Sequence, residues 1–124
     1  MARITGFGGV FIKSPDPKTL SAWYRDVLGM GVEGWGGALL KLSPQSPDTA
    51  TWTPFDQNTT HFAPSTREVM INFAVDDLDA FAREIEARGV KIEGRMADDS
   101  YGKFAWIMDP DGTKIELWEP AKTT

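Results

Sequence analysis

In the second half of the chain, apolar and polar positions alternate as a half-buried strand requires. Residues 70–75 (MINFAV) form one such run and residues 114–119 (KIELWE) another. Between them Leu78, Phe81 and Ile85 recur at helical spacing, with Asp76-Asp77 as the start signal and Gly89 as the stop. The first half has the same order. Residues 9–13 read as a strand, and Ser14-Pro15-Asp16-Pro17 opens a helix whose apolar face is Leu20, Trp23, Tyr24, Val27 and Leu28, stopped by Gly29. Strand-like pieces follow each helix, at 31–35, 38–42 and 49–55 in the first half and at 90–93, 104–108 and 114–119 in the second. A strand, a helix and three strands, written twice, is the economical parse, and it predicts an α+β fold.

The sharpest local signal is residues 107–119. Asp109-Pro110 opens a turn and Gly112 supplies the positive φ that closes it. In the strand beyond, Ile115 and Leu117 point one way while Glu116 and Trp118 point the other. Each helix is expected to cover its own sheet, through Val10 and Ile12 in the first half and Ile71, Phe73 and Val75 in the second. Parity then puts Gly9, Phe11, Lys13, Met70, Asn72, Ala74, Glu116 and Trp118 on the opposite faces, a mixture of apolar, aromatic and polar groups that suits a cleft lining. The same surface would also serve as a dimer contact.

Composition narrows the function classes. The chain has 124 residues, enough for one domain with a core of its own. Its net charge of −5 and lack of a basic cluster argue against nucleic acid and anionic membranes as partners. No apolar run is long enough to span a bilayer. Met1-Ala2-Arg3-Ile4-Thr5 carries no signal-peptide hydrophobic region, so the cytoplasm is the expected compartment. The absence of cysteine removes disulfides, thiolate nucleophiles and Cys-based zinc sites. A single histidine, His61, and no nucleophile elbow around any serine disfavour Ser-His-Asp chemistry. The Asp109-Pro110-Asp111-Gly112 turn is no calcium loop, because its twelfth position would be Pro120. His61 itself reads as an ordinary loop or interface histidine. Tyr24 reads as core, and Tyr101 as a residue at the lip of a cavity.

The layout, together with Trp23-Tyr24-Arg25-Asp26-Val27-Leu28-Gly29 and the 109–119 segment, resembles the vicinal oxygen chelate superfamily, which contains glyoxalase I, bleomycin-resistance proteins, fosfomycin-resistance enzymes and extradiol dioxygenases. It is most similar there to the small bacterial glyoxalase-like proteins, through Gly8-Gly9-Val10-Phe11-Ile12-Lys13, Met70-Ile71-Asn72-Phe73 and residues 102–108. The resemblance implies a single domain over 1–124, with tandem βαβββ modules at about 4–60 and 67–120 forming a curled mixed sheet around a cavity, and commonly a homodimer. It also implies positions for a divalent metal. These fall on Gly9, near Thr51-Trp52-Thr53, on Met70 and on Glu116, and only Glu116 keeps a competent ligand. With one histidine in the chain, a two-His, one-carboxylate site within one subunit is impossible, so neither a metal nor another cofactor is expected.

What remains is a cavity with Phe11, Trp52, Met70, Trp106 and Trp118 around it, able to stack a planar or apolar compound, and with Lys13, Asn72 and Tyr101 as polar neighbours. Burial of Glu116 at its floor penalises the carboxylate's charge unless a cation, Lys13 or a basic ligand, pairs with it. The expected function is therefore metal-independent binding of a small molecule near Glu116. The alternative is a glyoxalase-like lyase or isomerase with Glu116 as general base or as part of an atypical metal site.

Overall fold

A computed structural model describes residues 2–122 and leaves the two chain ends, Met1 and Thr123-Thr124, outside the described residues. Two helices, α1 (Pro17–Leu28) and α2 (Leu78–Ala87), accompany four strands, β1 (Met70–Ala74), β2 (Gly94–Asp98), β3 (Gly102–Met108) and β4 (Lys114–Pro120). The strands form one curled, unclosed mixed sheet in the order β1-β4-β3-β2. β1 runs parallel to β4, and the other two pairings are antiparallel.

Local chemistry starts both helices where the sequence places them. The Asp16 carboxylate accepts the Thr19 amide (3.2 Å) and the Thr19 hydroxyl (2.6 Å), with Pro17 in the first turn. Asp77 accepts the Ala80 amide at 3.0 Å, and the Glu119 carboxylate accepts the Leu78 amide at 2.9 Å, tying α2 to the end of β4. The 109–112 turn also forms as expected. Asp109 Oδ1 accepts the amides of Asp111 and Thr113, both at 2.9 Å, and Gly112 takes φ 83°.

Strand parity separates the two faces of the sheet. Ala105, Ile107, Ile115 and Leu117 are fully buried against α2, through Leu78 and Ile85. Burying each of the larger ones, Ile107, Ile115 and Leu117, stabilises the fold by about 1.5–3 kcal/mol. From α1, Leu20 and Tyr24 join this same core, so the first helix covers the second module's sheet, contrary to the expectation that it covers its own. Tyr24 is held there by its hydroxyl, which donates to the buried Asp109 carboxylate at 2.7 Å. Burial, with Asp109 beside it, pushes the phenol well above its ordinary range.

The first module's expected strands at 9–13, 31–35, 38–42 and 49–55 are not formed among the described residues. A lone antiparallel bridge, Val32 to Ala38, is all the pairing found there. The physical reason is partnership. A strand needs a neighbour for its backbone groups, whereas a capped helix satisfies its own. The expected strand at 90–93 is likewise displaced: Val90 and Ile92 pack against the core as a connection, and β2 begins at Gly94. Its hairpin to β3 turns on Asp98, whose carboxylate accepts the amides of Ser100 (2.7 Å) and Tyr101 (3.1 Å).

Candidate functional site

The sheet face away from the helices carries the candidate chemistry, and strand register assembles it. One cross-strand row reads Asn72, Glu116, Trp106, Gly94, and the next reads Ala74, Trp118, Phe104, Met96. Within the first row, Asn72 Nδ2 donates to Glu116 Oε1 and Trp106 Nε1 donates to Glu116 Oε2, both at 2.8 Å. The carboxylate is thus clamped by neutral donors on both neighbouring strands, with only 15% of its side chain exposed. A carboxylate oxygen has two lone pairs, so each oxygen can still accept from a ligand. Gly94 ends the row without a side chain and leaves the Trp106 ring open on that side.

The aromatic groups form a ladder across the strands. Phe104 lies near-parallel to Trp106 (6.2 Å between centroids, 9° between planes) and to Trp118 (6.5 Å, 14°). The Trp118 indole donates to the Tyr101 carbonyl at 2.7 Å, which fixes its ring. These rings give the face a flat apolar wall beside one fixed carboxylate.

The segment between the two halves contributes the last wall. His61 Nε2 lies 3.7 Å from Glu116 Oε2. Its ring stacks on Phe55 (5.4 Å, 1°) and stands edge-on to Trp106 (6.1 Å, 87°). Lys114, two residues before Glu116 on β4, donates from Nζ to the His61 carbonyl at 2.6 Å and lies 5.4 Å from the centre of the Trp106 ring. The Ser65 hydroxyl donates to the Gly112 carbonyl at 2.5 Å and anchors the same segment to the β3–β4 turn.

Of the residues singled out from sequence, Asn72, Trp106 and Glu116 meet directly, Trp118 lies one row away, and Met70 sits on the same face opposite Lys114. Four others are not brought to the carboxylate. Phe11 (95% exposed) and Trp52 (77%) project from the strandless first half. Lys13 contributes its carbonyl, which accepts from Arg67 at 2.9 Å, and makes no ion pair with Glu116. Tyr101 presents its carbonyl to Trp118 and leaves its ring outside. The enclosed hollow expected around Glu116 is an open face, since no first-half strand closes over it. Two shallow concavities of about 360 and 250 Å³ lie elsewhere, beside Asp98 to Lys103 and beside Trp23 to Lys91.

Sequence reasoning missed His61, Lys114 and Phe104. Parity could have found two of them, because Lys114 shares its face with Glu116 and Trp118, and Phe104 shares its face with Trp106. His61 lies in an irregular segment, where periodicity carries no signal.

The divalent metal that the family resemblance implies does not fit these residues. Glu116 has one nitrogen ligand near it, His61. Gly9 and Met70 offer no hard donor at two of the other three positions. Among the described residues, no three His, Cys, Asp or Glu side chains converge.

With this geometry in view, the chain can be set beside known proteins. It is 40% identical over 48 residues to Uncharacterized protein YaeR of Escherichia coli (strain K12), a stretch covering 38% of this chain and 37% of that relative. The chain therefore matches little more than a third of that relative's length. Among solved structures it is similar to TnmS3, an antibiotic binding protein from Streptomyces sp. CB03234, with 25% identity and a TM-score of 0.52 over 87% of this chain and 88% of that one. Lactoylglutathione lyase from Agrobacterium tumefaciens has the same fold, with a TM-score of 0.53 over 86% of each chain at 22% identity. No helix among the described residues is long and apolar enough to cross a membrane. A family model covering residues 6–117 matches from the first module through β4, and the chain belongs to the Glyoxalase/Bleomycin resistance protein/Dioxygenase superfamily.

Proposed function

We propose that the chain is a metal-independent small-molecule binding protein whose ligand lies on the open sheet face against Glu116. The observation that carries this reading is the carboxylate clamped by Asn72 and Trp106 beside the Phe104–Trp106–Trp118 ladder. A fixed acceptor next to a flat apolar wall selects compounds with a planar body and a cationic or hydrogen-bond-donating edge. Similarity to an antibiotic binding protein supports the same class. The metal positions bear on mechanism, because Gly9 and Met70 cannot supply the missing ligands.

The reading includes a single domain in which modules 4–60 and 67–120 pack together, in a homodimer. The described chain exposes 9425 Å² of surface. A compact monomer of its mass would expose roughly 6,600 Å². The excess exceeds the roughly 800 Å² that each partner buries in a standard protein interface. Phe11, Trp35 and Trp52 are among the exposed large apolar residues that a second copy would cover.

Equilibrium dialysis against a panel of planar cationic aromatics, with and without EDTA, tests the proposal. The expected result is binding that EDTA leaves unchanged and that Glu116→Gln weakens at least about tenfold, or about 1.4 kcal/mol. Binding abolished by EDTA and restored by a divalent ion would overturn it. A second reading, a lyase or isomerase with Glu116 as general base, is favoured by one feature, the His61 imidazole 3.7 Å from that carboxylate. Turnover of a glutathione hemithioacetal that Glu116→Gln abolishes would establish this second reading.

A further inference from the structure

We infer that His61 occupies the ligand position of the Glu116 face, so that the site takes a planar nitrogen heterocycle and is covered by the protein's own imidazole until that ligand displaces it. This inference rests on the binding site proposed above and names both its ligand class and the contact that closes it.

Three groups surround the His61 imidazole. One face is stacked on Phe55, with the planes parallel to within 1° at 5.4 Å between centroids. The ring stands at 87° to Trp106, edge to face. Its Nε2 points to Glu116 Oε2. An aromatic wall on one side, an aromatic neighbour at right angles and a carboxylate at the ring nitrogen are the three contacts expected around a bound heterocycle with an N–H donor. The protein supplies such a heterocycle itself, from a segment outside the sheet.

The contact is also weak where it would be strongest for a good ligand. At 3.7 Å the nitrogen and oxygen are beyond hydrogen-bond distance, and Glu116 draws its two short bonds from Asn72 and Trp106 instead. Exchanging His61 for a ligand nitrogen at about 2.8 Å would gain a charge-assisted bond without breaking the carboxylate's clamp. The His61 side chain is 39% exposed, so the ring has a path toward solvent, and a ligand ring in its place takes over its aromatic contacts. Its backbone stays anchored, because Lys114 holds the His61 carbonyl and Ser65 holds the turn at Gly112. The ring can swing away while the segment remains. Phe55, attached to that segment, remains available to stack on the ligand.

The experiment uses imidazole and benzimidazole as probes on the full chain, following the indole N–H signal of Trp106, identified by its loss in Trp106→Phe. Wild type, His61→Ala and His61→Phe are compared. His61→Ala removes the internal ring, whereas His61→Phe keeps a ring in place and removes its nitrogens. The expected result is saturable binding of both probes to His61→Ala at least about tenfold tighter than to wild type. His61→Phe should remain as poor a binder as wild type. Equal affinity in all three proteins would overturn the inference while leaving the binding site itself standing. If neither probe nor any member of the aromatic panel shifts Trp106 in any variant, the proposed site fails together with the inference. Folding of each variant is checked by its thermal transition. Should His61→Ala not fold, a wild-type titration in which benzimidazole sharpens and releases the His61 ring signals supports the displacement, and unchanged ring signals at saturation refute it.

Discussion

The two halves of this chain carry the same written pattern and reach different structures. Residues 70–120 build a four-stranded sheet with nearly all the fully buried side chains, whereas residues 2–60 contribute one helix and a single bridge. Both halves have capped helices, and both helices form. The strands differ in their partners. In the second half, the Asp109 and Asp98 turns place β4 beside β3 and β3 beside β2, so pairing is local. In the first half the turn at Glu33 to Gly37 closes one bridge, Val32 to Ala38, and pairing goes no further, while α1 spends its apolar face on the other half's core. Sequence periodicity specifies which faces a strand would bury, but only a partner makes it a strand.

The largest effects that separate the halves should come from the core. Ile115→Ala or Leu117→Ala removes a fully buried side chain and should cost about 2–5 kcal/mol in urea unfolding. Leu42→Ala, at a residue 88% exposed, should change stability by less than about 0.5 kcal/mol. If Leu42→Ala were as costly as Leu117→Ala, the first half would be packed as tightly as the second, and the contrast would vanish.

Gly102→Ala sharpens the comparison at the β2–β3 turn. Gly102 has φ 114°, and an added Cβ would meet the Glu119 carbonyl oxygen at 2.0 Å. A loss of about 1–3 kcal/mol is expected from the backbone strain alone. A neutral outcome would mean that the hairpin does not hold this register.

Tyr24 makes a buried side-chain bond between the first half and the second. Tyr24→Phe leaves the buried Asp109 oxygen without its donor and should cost about 1–3 kcal/mol. The folded phenol keeps its proton to higher pH than the unfolded one, so its contribution is complete below about pH 10 and is lost as pH rises further. Wild type should therefore lose stability above about pH 10 more steeply than Tyr24→Phe does. Parallel alkaline limbs for the two proteins would contradict this link.

The smallest effect concerns Asp79, which accepts from Lys103 at 2.9 Å and from Arg95 at 2.5 Å on the sheet's outer rows. Those cations, the Lys103 hydrogen bond first, hold its carboxyl below the usual range. Their contribution is present above the ordinary carboxylate range near 3.9 and fades as pH falls below it. Because these groups are exposed, Asp79→Asn should shift the thermal midpoint only slightly, and salt should erase the difference.

The second half was legible because alternation, a helix face and a turn signal agreed there. Glu116, Trp118 and Asn72 lie on the face that parity assigns them. The partners of Glu116 were less legible. Trp106 needed the β3 register, which only the pairing with β4 supplies. His61 reaches the carboxylate through an irregular segment whose path no local rule dictates. Lys13, one of the two candidate cations for Glu116, belongs to an expected strand that does not form, while Lys114 Nζ lies between the His61 carbonyl and the Trp106 ring on the same face. The missing first-half strands were unreadable for the opposite reason, since a correct pattern lacked the contacts needed to realise it.

The most direct measurement is an NMR titration of the wild-type chain and of Glu116→Gln with a planar cationic aromatic that binds in dialysis. The account predicts saturable shifts at the side-chain amide of Asn72 and the indoles of Trp106 and Trp118, with affinity reduced at least about tenfold in the variant. Shifts confined to the first half, or equal affinity for both proteins, would contradict it.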